Sequence, residues 1–92
     1  MDKKLTEKIM ADEIAETVEN FIVENIVFDR HVKPARDQAL LETGVIDSTS
    51  VLELVAFLED TFVIEIEDDE LLPANLDSIN RITNFITGKL NI

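Results

Sequence analysis

Val51, Leu54, Val55, Leu58 and Phe62 recur every three or four residues, with Asp47 just ahead of them. That spacing puts five apolar side chains on one stripe of an α-helix. An Asp in front is a favoured N-cap, because its carboxylate accepts N–H groups that the first turn leaves free. The pattern predicts a helix over 48–61. Met10, Ile14, Val18, Phe21 and Ile22 make a second stripe. Its helix is expected to begin between Leu5 and Met10 and to fade near Val27, with residues 1–8 as a flexible N-terminal tail. Ile79, Ile82, Ile86 and Leu90 make a third, beginning near Asp77 with Asp77 or Asn75 as cap and ending around Gly88 to Leu90. Each stripe needs a partner to cover it, so the three helices are expected to share one core.

The segments between the stripes read differently. Pro34 disfavours helix at Lys33 and Gly44 breaks it again, so Phe28 to Ile46 is expected to be a long loop. Val32, Leu40, Leu41, Val45 and Ile46 are its apolar anchors. Val63 to Ile66 alternates like a strand, but an isolated strand has nothing to pair with, and an extended connection is expected. Glu67 to Leu72 sets acids ahead of apolar residues and stops before Pro73, which suits a single short helical turn or two, the short third helix. Two Gly and two Pro in 92 residues are too few for the turns of an all-β fold. The prediction is a single all-α domain over 1–92, a four-helix bundle with a short third helix and a long loop between helices 1 and 2. At this length a fold buries roughly 60–65% of what the unfolded chain exposes. The five aromatic residues are all Phe, so the core must come mainly from Ile, Leu and Val.

Charge narrows the partners. Twenty acidic against eight basic residues give −12, and twelve of the acids lie between Asp37 and Asn80, where there is no Lys or Arg. Such a field repels nucleic acid and anionic membranes and draws in proteins with basic patches. Without cysteine there is no disulfide and no thiolate nucleophile. No apolar run approaches the roughly 18 residues of a membrane span, and the N-terminus lacks an apolar leader core, so a cytoplasmic monomer is expected. The acids Glu65, Glu67, Asp68, Asp69 and Glu70 lack the Asp-x-Asp-x-Asp-Gly spacing of a calcium loop, and unspecific cation screening is expected there. His31 sits among Arg30, Lys33 and Arg36 and reads as a solvated side chain.

The chemistry concentrates at Gly44-Val45-Ile46-Asp47-Ser48, followed by Glu53-Leu54. A serine directly after the capping aspartate starts a strong amphipathic helix, with its hydroxyl exposed. The positive end of the helix dipole and free backbone N–H groups favour a phosphate ester there. Nucleophilic catalysis would need a base, and the single histidine shows no sign of reaching Ser48, so no enzyme is expected.

From Leu41 to about Phe85 the chain resembles acyl carrier proteins. The resemblance rests on Gly44, Asp47-Ser48, Val51, Glu53-Leu54-Val55, Leu58-Glu59, Phe62, Ile64, Ile66, Asp68-Asp69-Glu70, Ile79 and Ile82; the first helix agrees in position and pattern. It implies a 4′-phosphopantetheine arm on Ser48, donated from coenzyme A by a separate phosphopantetheinyl transferase. It also implies acyl or aminoacyl cargo held as thioesters for loading and using enzymes of fatty acid, lipid or related biosynthesis. Two departures stand out. Thr49 occupies the place of the family's usual Leu, and the first loop and N-terminal tail are long, features that point to a specialised carrier. Asp77-Ser78-Ile79 is a local decoy, closer in its three residues to the family's Asp-Ser-Leu but without a following Glu-Leu pair.

Leu52, Glu53, Ala56 and Asp60 lie off the core stripe of the second helix. They are the expected docking face, with acids for steering and small or apolar residues for contact. The alternative is an acidic helical interaction module without a covalent cofactor, which explains the charge and leaves the Gly44 to Val55 pattern as coincidence.

Overall fold

The structure, a computed structural model, describes residues 3–27 and 33–90, with side chains of the first helix from Met10 onward. Every regular element among them is helical. In chain order these are α1 (Lys3–Phe21), α2 (Ser48–Phe62), α3 (Pro73–Leu76) and α4 (Ile79–Leu90). A π-helical stretch, Ile22–Val27, extends α1, and a 3-10 turn, Asp68–Glu70, precedes α3.

α1 starts earlier than its apolar stripe: the backbone is helical from Lys3, within the segment expected to be a tail. The stripe itself is as expected at Ile14, Val18 and Ile22, all buried, while Met10 is 36% exposed. α1 packs on α4, whose Ile79, Ile82 and Ile86 are fully buried. Leu54 and Leu58 of α2 close the same core, and Phe21 stacks on Phe57 with ring centroids 4.0 Å apart. Burial of these aliphatic side chains contributes about 1.5–3 kcal/mol each and holds the helices together. The one buried hydroxyl of α4, Thr83 Oγ1, donates to the Ile79 carbonyl at 2.8 Å.

The loop behaves as an anchored segment. Leu40 and Ile46 are buried as expected, but Leu41 is 37% exposed and does not serve as a core anchor. Val32 and its neighbours Arg30 and His31 lie outside the described residues. Arg36 ties the loop in two directions: its guanidinium faces Asp12 and Glu19 of α1 at 3.7 and 3.9 Å, and its carbonyl accepts the Asn80 N–H at 2.9 Å. Gly44 turns the chain with φ +78°, a conformation L side chains rarely adopt.

α2 runs one residue beyond the predicted span and ends at Val63, which adopts the left-handed conformation, φ 54° and ψ 53°. For a β-branched residue that conformation costs on the order of 1–3 kcal/mol. Glu59 holds the turn: its carbonyl accepts from Val63 and Ile64, and its carboxylate accepts the Ile66 N–H at 3.1 Å. Residues 64–67 form no regular structure, in keeping with a connection, but Val63, expected to be its first extended residue, is the left-handed end of α2 instead.

The short third helix is corrected. Glu67–Leu72 holds only the 3-10 turn, in which Glu67 and Glu70 form a capping box, and α3 begins at Pro73 instead of ending before it. Proline suits that first position, where its fixed φ is helical and its missing N–H is not needed. The cap of α4 is corrected too. Neither Asp77 nor Asn75 caps it; Ser78 does, its Oγ accepting the Arg81 N–H at 3.1 Å.

Candidate functional site

Asp47 and Ser48 occupy the positions read for them. Asp47 is the N-cap of α2, and Oδ1 accepts the Ser50 N–H at 2.7 Å while its carbonyl accepts the Val51 N–H at 3.0 Å. The Ser50 N–H and then the Ser50 side chain hold the Asp47 carboxyl below the usual carboxylate range. Ser48 is the first helical residue and is exposed, as is Thr49. One expectation is modified: the first-turn N–H of Ser50 already serves Asp47, so a phosphate at Ser48 meets the helix dipole with that donor taken.

Ser78 contrasts with Ser48. It is 5% exposed, and its hydroxyl oxygen is the α4 cap, so an enzyme could not reach it without unfolding the helix start.

The expected docking residues share one surface. Leu52 is 63% exposed, and Glu53, Ala56 and Asp60 are exposed as well. Ser48, Leu52, Ala56 and Asp60 follow one another at intervals of four along α2, so the serine heads a stripe about 18 Å long.

Residues that the sequence analysis did not assign to the site form a cleft of about 210 Å³ one helical turn from Ser48. It is lined by Leu41, Val51, Leu71, Leu72, Pro73 and Leu76. Leu41 is therefore a wall of this cleft, and Leu72, 52% exposed, stands at its rim. The signal in the sequence was Leu71-Leu72-Pro73, three apolar residues after a run of acids; only the fold brings Val51 opposite them. A second groove of about 190 Å³, lined by Met10, Ile14, Phe62 and Leu90 among others, lies at the far end of α2, about 21 Å from Ser48 along the helix.

Of the acids after α2, Glu67 and Glu70 act structurally. Glu70 Oε1 accepts both the Glu67 N–H at 2.9 Å and the Lys89 ammonium at 2.6 Å, and the Lys89 bond leads in lowering the Glu70 carboxyl. His31 lies outside the described residues. No helix among the described residues is long and apolar enough to cross a membrane. No family model matches the chain, and no curated protein matches it.

Proposed function

We propose that this chain is a carrier protein of the acyl carrier type, bearing 4′-phosphopantetheine on Ser48 and presenting acyl or aminoacyl intermediates to partner enzymes. The observation that carries the reading is Ser48 itself: an exposed hydroxyl at the first residue of a capped helix, with an apolar cleft beside it and an exposed face carrying Leu52, Glu53, Ala56 and Asp60 running away from it. In this reading the four helices form an acyl-carrier-like bundle, and the protein is a substrate for modification, not an enzyme.

The residues fit the group. Ser48 leaves its oxygen free for an ester because Asp47, not Ser48, supplies the helix cap. In loading, the Ser48 Oγ–P bond forms as the pyrophosphate of coenzyme A breaks; adenosine 3′,5′-bisphosphate departs, and the hydroxyl proton passes to the transferase. The dipole of α2 favours the resulting anion. Glu53 and Asp60 steer basic partners to the stripe, Leu52 and Ala56 supply its apolar centre, and the tethered arm delivers cargo at high effective concentration without a long-lived complex.

The test is the intact mass of the protein after incubation with coenzyme A, magnesium and a broad-specificity phosphopantetheinyl transferase, beside Ser48→Ala. One phosphopantetheine adduct on the native chain and none on the variant supports the carrier. A folded native chain with no adduct favours the acidic interaction module.

A further inference from the structure

The walls of the cleft beside Ser48 are joined unequally. Asp77, the C-cap of α3, receives two consecutive N–H groups of the loop: Leu40 donates to its carbonyl at 2.7 Å and Leu41 to Oδ1 at 3.1 Å. Leu40 is fully buried, and Asp77 donates its own N–H to the Pro73 carbonyl at 3.0 Å. The Asn80 N–H reaches the Arg36 carbonyl at 2.9 Å, a third bond between the loop and the start of α4. The Leu41 wall is thus bonded to the segment carrying Pro73 and Leu76. The α2 wall is not: among the described residues, the hydrogen bonds from α2 to the chain after it converge on Glu59, far along the helix from Val51. Val51 and the Leu71 to Leu76 side line the cleft together, and among the described residues no hydrogen bond joins them.

We propose that Asp77 is a positioning residue for this cleft: its carboxylate clamps Leu41 to α3, so that the loop and α3 form one wall, and the hold of the cleft on cargo depends on that clamp. The proposal rests on the carrier reading of Ser48. It gives the decoy Asp77-Ser78 pair a role, with Asp77 as clamp and Ser78 as helix cap.

The first measurement uses the unmodified protein, so it is independent of any arm. In Asp77→Ala the Leu41 amide is expected to exchange on the order of tenfold faster relative to the Leu54 and Ile82 amides. Asp77→Asn, which keeps an oxygen acceptor, is expected to restore it. The second loads Ser48 from acetyl- or octanoyl-coenzyme A and follows thioester cleavage by hydroxylamine. Octanoyl is expected to be cleaved more slowly than acetyl on the native chain; the difference falls severalfold in Asp77→Ala and returns in Asp77→Asn. Leu41 exchange that merely keeps pace with the core amides overturns the clamp. Equal cleavage of the two thioesters on the native chain, or an unchanged ratio in Asp77→Ala, overturns its role toward cargo. A chain that accepts no arm fails by intact mass, which separates loss of the carrier reading, and of the role that rests on it, from loss of the clamp.

Discussion

Asp47-Ser48 and Asp77-Ser78 are the same dipeptide at the start of two apolar-striped helices, and they differ in register by one residue. In α2 the aspartate caps and the serine is the first helical residue, turned to solvent. In α4 the serine caps, accepting the Arg81 N–H, and the aspartate is left behind at the end of α3, bonded to Leu40 and Leu41. The shift follows from what precedes each pair. Ahead of Asp47 the chain comes from a loop, and nothing competes for its carboxylate. Ahead of Asp77 stands α3, whose last turn claims Asp77 as its own cap. One position of register therefore separates an exposed hydroxyl from a buried structural one.

The largest expected break in this comparison is chemical. On the carrier reading, Ser48→Ala is expected to abolish the phosphopantetheine adduct and Ser78→Ala to keep it on folded protein, both read by intact mass; an adduct surviving in Ser48→Ala would reverse the roles. Next, Glu53→Lys is expected to slow modification severalfold at low salt and raise the transferase Michaelis constant, with the effect shrinking as salt screens the field. An unchanged rate at low salt removes Glu53 from the docking face.

The stability effects are smaller. Ser78→Ala removes a cap oxygen from a buried helix start and is expected to destabilise by about 1 kcal/mol in urea unfolding. Val63→Gly is expected to stabilise by up to about 1 kcal/mol, because glycine enters the left-handed turn without strain, part of that gain being offset by the freedom glycine has when unfolded. The smallest effect sharpens the comparison through pH. The Asp47 carboxyl is depressed in the folded state, first by the Ser50 N–H, so the stability it contributes is present above its unfolded value, about 4, and is lost as pH falls through the lower folded one. The Ser78 cap has no carboxyl to protonate. Acid should therefore raise exchange of the Ser50 amide before that of Arg81, and Asp47→Asn should remove the difference.

Local features were the most legible in the chain. α2 came within one residue of its predicted end because its signals, the apolar stripe and the Asp47 cap, act over three or four positions. Gly44, the irregular 64–67 connection and the placement of Leu52, Glu53, Ala56 and Asp60 on one exposed face follow from the same short-range rules. Pro73 was misread because a proline both stops a preceding helix and starts a following one, and the choice depended on how the chain packs around Leu76. Leu41 was misread because an apolar residue in a loop faces the core or a cleft with equal local logic.

The amino-acid sequence by itself determined the helical class, the three apolar stripes, the acidic surface and the identity of Ser48 as the first residue after a cap, since each depends on neighbours a turn away or on composition. The tertiary structure alone decided which serine is accessible, which leucines line the cleft and what Asp77 holds. Asp77 and Leu41 are 36 residues apart in the chain, and no periodicity reaches that far; their bond exists because burial of Leu40 and Leu76 in one core brings the loop against the start of α4.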